Sequence, residues 1–466
     1  MGRRLLTVDR ETPFLLPPDL KDWIPENHII HFIIDAVNGL PECYFQYNWR
    51  GTGSEQYSPQ MMLTLLIYCY VTGRFASRVI ESSTYCDVVV RYICGGSLHP
   101  DHDTIAEFRR NNRELFESAF LEVLQLANEM GNLKQVGTVS VDGSKIKANA
   151  SKHKAVSFER SGKQLEILRE EVKQLMKKAE KADSSPLDDG LSVPSEIARR
   201  ETRIEKLEEA RRIIKQRYEE ECLAKEEAYK EKAAKRLKSE ESGKKTAGRK
   251  TKPPADLPPE NKQYNFSDPE SRIMKAGNGN HYEQAYNVQL AVDTESMLIV
   301  GRRVTNEAND KEQLKPVVES IPSEQYKACA VLADSGYYSE KAVTQVESDS
   351  GPLVYVSLGK AGHHVRLEDL EKQEDPLPPA GNSSVKVKMS HRMKTKAGKA
   401  LYKLRKQTVE PVFGIIKQAM GFRRFSVRGK INVKNEWNLV CLAYNLKRLF
   451  NLQNPELNGK SIWAMA

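Results

Sequence analysis

Three acidic residues stand in surroundings that set them apart: Asp142 in Val139-Ser-Val-Asp-Gly-Ser, Asp334 in Val331-Leu-Ala-Asp-Ser-Gly-Tyr-Tyr, and Glu410 in Gln407-Thr-Val-Glu-Pro-Val-Phe. Each Asp closes a short run of β-forming apolar residues, which predicts that it ends a buried strand, where ligands of α/β sheets gather. Glu410 lies instead in a basic segment with helical patterning. Hard carboxylates on rigid elements, with bases around them, suit Mg²⁺ and a polyanionic phosphate substrate better than zinc or a small neutral ligand.

Charge is unevenly spread. The chain of 466 residues has a formal net charge of +9, yet residues 386–450 hold 17 Lys or Arg against only Glu410 and Glu436, a local balance of +15 that leaves −6 for the rest. Such a stretch is an electrostatic footprint for nucleic acid, because neutralising phosphates releases counterions; a solvated basic face is the plainer alternative. The seven Cys are odd in number and form no close CxxC pair, which argues for reduced thiols in a cytosol and against a disulfide framework or a structural zinc site. The longest apolar run, 61–71, is interrupted by Thr64 and too short to span a bilayer, and Met1-Gly-Arg-Arg opens no signal peptide. A soluble cytoplasmic protein is expected.

Four zones position the acids. Residues 1–135 read as an all-α N-terminal domain: 59–72 is apolar almost all round, and Thr104-Ile-Ala-Glu107 is a capping box opening one long amphipathic helix to about Met130. A helix-turn-helix-like DNA-binding unit with Arg109, Arg110 and Arg113 on one side fits this zone, as does a bundle with an ordinary basic surface. The first strand, 136–149, carries Asp142. From 162 to 241, Lys, Glu and Arg dominate, with apolar residues at Leu165, Leu168, Val172 and Leu175 and again at Ile197, Ile204, Leu207, Ile214 and Tyr218. This predicts an antiparallel coiled-coil arm, broken at 184–194 and followed by a Gly/Lys/Pro-rich linker at 243–260. DNA, a second subunit and solvent are all candidate neighbours of the arm.

Beyond the linker come a hairpin (286–293 and 297–304), a helix at 311–319 capped by Asn309 or Asp310, the Asp334 strand, a helix at 339–348, a strand at 353–357 and the Glu410 helix. That order predicts an α/β fold: an RNase H-like mixed sheet with flanking helices, preceded by the all-α domain and interrupted by the coiled-coil insertion. The expected divisions are 1–135, a catalytic domain of 136–160 with 261–450, the insertion and linker at 161–260, and a tail at 451–466.

The residues can now be matched to a family. Leu16-Pro-Pro-Asp-Leu, Tyr57-Ser-Pro-Gln, Pro100-Asp-His-Asp-Thr-Ile-Ala-Glu-Phe-Arg, Val141-Asp-Gly-Ser-Lys-Ile-Lys-Ala-Asn-Ala-Ser, Ser271-Arg-Ile-Met-Lys, Ala333-Asp-Ser-Gly-Tyr-Tyr, Val409-Glu-Pro-Val-Phe-Gly-Ile-Ile-Lys and Gly421-Phe-Arg-Arg-Phe occur in this order. Nearly the whole chain thereby resembles bacterial insertion-sequence transposases of the DDE superfamily, with an RNase H-like catalytic domain and an InsH-type helical N-terminal domain. The resemblance implies that Asp142, Asp334 and Glu410 bind two Mg²⁺ ions, with Mn²⁺ able to stand in, and that double-stranded DNA is cut and joined at element ends. It also implies a homodimer on DNA, near the bacterial nucleoid; neither a membrane nor a small-molecule substrate is expected. A non-catalytic DNA-binding relict and a structure-selective nuclease on the same fold are the alternatives.

Candidate DNA contacts follow from a Tyr-x2-Arg-x3-Glu-x6-Lys signature of related elements, from which this chain departs by one residue between Arg405 and Glu410. On an unbroken helix Tyr402, Lys406, Glu410, Gly414 and Lys417 share a face and Arg405 points elsewhere, unless Pro411 kinks the helix. Arg405 and Lys406 therefore both stay candidates. Lys417 is placed to meet a phosphate, and Arg423, Arg424 and Arg428 to clamp a strand; Phe422 and Phe425 either pack beneath the loop or stack on a base. Asp293 is better read as a hairpin-turn residue and Asp310 as a helix cap, while His99-Pro-Asp-His-Asp103 looks structural rather than metal-binding and His363-His364 solvent-exposed.

Overall fold

A computed structural model describes residues 19–47, 55–182, 193–241, 255, 257–276, 281–348, 351–359 and 375–457. Two compact units emerge, one of Met1–Ile146 with Asn287–Ala466 and one of Lys147–Tyr286.

The first unit begins with helices α1 (Ile29–Asn38), α2 (Pro59–Val71), α3 (Ser77–Cys86), α4 (Val88–Ile93), α5 (His102–Asn111) and α6 (Arg113–Glu129). Helix α2 is buried from Met62 to Val71, as its unbroken apolar run requires, and starts with Ser58 as cap and Pro59 in the first turn. The cap of α5 differs from expectation. The cap is Asp101, not Thr104: its Oδ1 accepts from the Thr104 amide at 2.6 Å, because Asp is the stronger cap and lies one turn earlier. The single long helix is also interrupted: Asn112 leaves helical geometry at φ −101°, ψ 49°, and α6 starts afresh. Strand β1 (Val136–Lys147) follows.

The second unit holds β2 (Ala155–Ser157), α7 (Phe158–Ala182), α8 (Val193–Glu241), β3 (Gln263–Asn265), β4 (Arg272–Lys275) and the first residues of β5 (Tyr282–Asp293). Arg169–Glu208 (2.6 Å) and Glu171–Arg200 (2.8 Å) pair across α7 and α8, which run antiparallel as the heptad-like pattern predicts. Their seam buries Leu165, Val172, Leu207, Ala210, Ile214 and Tyr218, and the seam's base packs on Val156, Tyr264 and Phe266. Most of the break expected at 184–194 and most of the linker at 243–260 lie outside the described residues, while Val193 and Pro194 already open α8.

Back in the first unit come β6 (Ile299–Thr305), α9 (Leu314–Val318), β7 (Lys327–Ala333), α10 (Glu340–Glu347), β8 (Leu353–Val356), α11 (Val385–Lys394), α12 (Lys396–Gly414) and α13 (Lys430–Gln453). The sheet reads β6–β5–β1–β7–β8, with β1 central, β5–β6 antiparallel, and β1–β7 and β7–β8 parallel. This is an RNase H-like mixed sheet. Val139, Val141, Val331, Leu332, Ala333, Val354 and Val356 are all buried, which is why these strands read as continuous apolar runs rather than alternating ones. Helix α12 lays Leu401, Tyr402 and Leu404 on Ala330, Leu332 and Tyr355 of the sheet. Helix α13 is the unit's core, burying Trp437, Leu439, Val440, Leu442 and Leu446, and packs on α2, α6 and β6. Helix α9 starts later than expected, and no side chain caps it.

Both readings of the N-terminal zone, a DNA-facing helix and an ordinary basic surface, put Arg109 on the outside, and it is instead internal. Its guanidinium lies 3.6 Å from Glu436 and donates to Tyr70 Oη (2.9 Å), the Phe75 carbonyl (3.0 Å) and Ser77 Oγ (3.2 Å). Position 109 falls on the apolar face of α5 with Ile105, and a lone Arg there meets a buried carboxylate rather than solvent. Arg110 and Arg113 are exposed.

Candidate active site

Asp142 does not end its strand, as its place after Val141 implied; β1 runs on to Lys147. Its neighbour β5 is equally long at 12 residues and carries the ladder past the acid. Asp334 directly follows β7, on the parallel neighbour of β1, and opens the short turn Ser335–Tyr337. Glu410 comes from α12, whose Val409, Val412 and Phe413 are buried and hold the helix in place.

These three carboxylates meet one guanidinium. Arg405 places Nη1 3.9 Å from Asp142 Oδ2, and Nη2 both 3.8 Å from Asp334 Oδ1 and 3.3 Å from Glu410 Oε1. The Arg405 side chain is only 7% exposed, whereas Lys406 points to solvent. No kink is needed. Helix α12 continues through Pro411 to Gly414 and passes into a π-turn at Ile415–Ala419. Arg405 and Glu410 leave the helix roughly 140° apart, and the length of the Arg side chain closes that gap. Ser140 Oγ on β1 donates to the Arg405 carbonyl (3.3 Å), fixing this turn of the helix over the sheet, and the Arg405 guanidinium carbon lies 5.9 Å from the Tyr402 ring.

The electrostatics follow from that crowding. Burial pushes the Asp142 carboxyl up to about 6; Asp334 and Asp310 add to the rise, while the Gly143 amide at 2.8 Å and Arg405 oppose it. Burial lowers the Lys417 ammonium, Lys145 lowers it further, and Asp142 works against both. Lys417 sits in the π-turn and donates to Ser144 Oγ and the Lys145 carbonyl, so it is moored two residues beyond Asp142 on β1.

A fourth carboxylate is present that sequence reasoning assigned to a helix cap. Asp310 Oδ1 accepts from Asn287 Nδ2 and Gln289 Nε2, both at 2.7 Å, and Lys145 Nζ lies 3.7 Å from its Oδ2. Gln289 Oε1 in turn accepts from the Tyr337 hydroxyl, three residues after Asp334. Gly143 makes the close approach possible, since a Cβ there would stand 2.8 Å from Asp310 Oδ1. One signal could have found this network. Asn287 and Gln289 alternate with Val288 and Leu290 in the middle of β5, which marks a polar face inside the sheet.

Other expected residues separate into surface and core. Arg423, Arg424 and Arg428 are exposed, Arg423 bracing the loop through the Lys417 carbonyl (3.0 Å). Phe422 is buried against Phe75 and Trp437, and Phe425 against Phe422, so neither presents a ring to a base. His99 bonds Thr84 (3.0 Å) and stacks on Tyr85, and His102 pairs with Glu81 (2.9 Å), so that cluster is structural. Asp293 accepts from the Ser296 amide (2.8 Å) and Tyr326 hydroxyl (2.8 Å) as a turn residue. His363-His364 lies outside the described residues.

Three carboxylates, each a quarter to a half exposed, face one cationic point, and groups of that type could hold a hard divalent cation. Among the described residues no three acidic, His or Cys side chains stand at ligating distance; between Asp142, Asp334 and Glu410 lies the Arg405 guanidinium.

Residues 243–446, which contain Asp334 and Glu410, match the family model described as Transposase DDE domain. Residues 18–111, helices α1 to α5, match Transposase domain (DUF772). The chain belongs to the insertion-sequence DDE transposases. Asp142 falls between the two matched stretches, so its place beside Asp334 and Glu410 rests on geometry. No curated protein and no solved structure matches the chain. Transposases act on DNA and DDE members use divalent metals, which fits the donor set here. Among the described residues of this transposase no helix is long and apolar enough to cross a membrane.

Proposed function

We propose that this transposase cuts DNA at insertion-sequence ends and joins the freed end to target DNA, with Asp142, Asp334 and Glu410 as its catalytic residues. The observation that carries the reading is the convergence of all three acids on Arg405. The three carboxylates would hold magnesium, as two ions, with manganese able to replace it. Divalent cations bound there neutralise phosphate charge and acidify water. In cleavage the oxygen of water bonds to phosphorus, the P–O3′ bond breaks, and the 3′-oxygen takes up a proton. In joining, the oxygen of that 3′-OH bonds to a target phosphorus and gives its proton to solvent, the target's own P–O3′ bond breaks, and the displaced 3′-oxygen takes up a proton. Arg405, once its carboxylates hold a cation, offers its planar fork to a phosphate. Lys417 exchanges the Ser144 hydroxyl for a phosphate oxygen, recovering attraction lost to burial. Lys406, Arg423, Arg424 and Arg428 extend a cationic strip along α12 and the following loop for the DNA backbone, and Tyr402, beside Arg405, offers a neutral hydroxyl to it. Two chains, one on each element end, would act together beside the bacterial nucleoid.

The test is a labelled duplex carrying the element's terminal sequences, incubated with protein and Mg²⁺. Nicks with a 3′-OH, followed by joined products, are expected. Cutting without joining would favour a structure-selective nuclease. Salt-sensitive binding with no nick in either Mg²⁺ or Mn²⁺ would sink the enzymatic reading and leave a DNA-binding relict.

Arg405→Ala offers an independent check. Removing a positive charge within 4 Å of three carboxylates should tighten Mn²⁺ binding by about tenfold in the absence of DNA, equivalent to ~1.4 kcal/mol, while slowing cleavage. Titration calorimetry on the free protein reads the first effect. Equal affinities for wild type and variant would show that the guanidinium does not compete with the cation.

A further inference from the structure

The arm carries a groove that the catalytic reading does not use. It lies wholly within residues 147–286, at the base of the α7–α8 pair, and encloses about 690 Å³. Lys154 comes from the turn before β2, Arg160 from α7, and Arg203 and Lys206 from α8, so three separate segments deliver cations to one concavity. All four are exposed.

Their pairing distinguishes them from other bases of the arm. Lys163 is held by Glu159, Arg169 by Glu208, Arg200 by Glu171 and Glu196, and Arg212 by Glu209. None of Lys154, Arg160, Arg203 and Lys206 has a carboxylate partner among the described residues. Of the two acids lining the groove, Glu209 is already committed to Arg212 at 2.7 Å, which leaves Glu205 against four cations. A concave surface with that imbalance concentrates anions.

The floor decides which anion. Tyr264 and Phe266 line it but are tied up in packing: their rings meet edge-to-face at 5.5 Å and press on the Val156–Leu165–Leu207 cluster. The Arg203 guanidinium covers Phe266, 5.3 Å from its centroid. No free aromatic face is offered to an unpaired base, so single-strand stacking is disfavoured and backbone phosphates are what the groove can read. Gln164 on the same wall leaves its side-chain oxygen unbonded, and a half-turn of that amide presents an N–H donor instead. We infer that this groove is a second DNA-binding site that grips the phosphate backbone of duplex DNA without reading sequence. The inference rests on the chain acting on DNA, not on the identity of its catalytic residues.

The experiment uses the full chain carrying Lys154→Glu, Arg160→Glu and Lys206→Glu together, titrated with labelled duplex by anisotropy over a salt series. Affinity at low salt should fall tenfold or more, and the slope of log K against log salt should shrink by about 3, near 0.9 per lost phosphate contact. A second variant, Glu205→Gln, should bind more tightly than wild type, a gain that misfolding cannot produce. Unchanged affinity and slope in the triple variant would overturn the proposal. So would normal DNA binding accompanied by altered self-association in light scattering, which would assign the groove to a second copy of the chain. Wild-type protein that binds duplex yet never nicks it would end the catalytic reading, whereas the groove stands or falls on the binding of its variants, not on nicking.

Discussion

Asp142→Asn is expected to abolish strand cleavage, leave duplex binding intact and make the protein more stable. Loss of a carboxylate that contributes to phosphoryl-transfer charge neutralisation should remove about 4 kcal/mol of transition-state stabilisation, about a thousandfold in rate. Duplex binding should persist because the cations of α12 and the loop after it are untouched. Stability moves the other way. The Asp142 carboxyl titrates near 6 in the folded protein against 3.8 ordinarily, chiefly because burial disfavours its charge. A group raised on folding contributes stability below its unfolded value and loses it as pH climbs through the folded one. Wild type should therefore lose about 3 kcal/mol between about pH 4 and pH 6 in chelator, and Asp142→Asn should not. Asn keeps an oxygen for the Gly143 amide, and Arg405 retains Asp334 and Glu410, so the substitution orphans nothing. Denaturant titrations at both pH values, beside a cleavage assay, check the two halves separately. Residual cleavage near the wild-type rate would remove Asp142 from the chemistry; identical pH slopes would remove the buried-charge account.

The two Asp were legible because parallel central strands advertise themselves: Val139-Ser-Val and Ala330-Val-Leu-Ala are apolar runs too short for helices, and each hands its chain directly to an acid. The order of elements along the chain, and with it the RNase H-like reading, followed from the same runs, whereas the spatial order of the strands came only with the fold. Arg405 was ambiguous for a physical reason. Helical periodicity fixes where a Cβ points, and a side chain with four rotatable bonds can reach round the helix when three carboxylates attract it. Asp310 and Arg109 failed in the same manner, each having a local explanation, a cap or a basic helix face, that concealed a partner distant in sequence. Asp310 finds Gln289 across 21 residues and Arg109 finds Glu436 across 327. Spacing along the chain carries little about such pairs, because only the packed fold brings them together.

Glu436 therefore supports the second large expectation. It is fully buried in α13, with 0% side-chain exposure, and accepts from the Tyr70 hydroxyl (3.0 Å), the Ser426 amide (2.9 Å) and the Ser426 hydroxyl, with Arg109 Nη1 at 3.6 Å. Helices α2, α5 and α13 and the loop at 422–429 thus share one carboxylate. Glu436→Gln preserves the shape but strips Arg109 of its counter-charge and turns an amide N–H₂ toward groups that are themselves donors. Breaking a buried pair from one side typically destabilises by about 3–5 kcal/mol, whereas Arg109→Met combined with Glu436→Gln leaves no uncompensated charge and should recover part of that loss. The positive coupling in this double-mutant cycle, read by denaturant unfolding, separates an electrostatic role from mere packing. Because Ser426 anchors the loop bearing Arg423, Arg424 and Arg428, Glu436→Gln should also weaken DNA binding while leaving Asp142, Asp334 and Glu410 in place. A Glu436→Gln protein as stable as wild type, or single and double losses that simply add, would show that the buried charge is not what ties the N-terminal helices to the catalytic sheet.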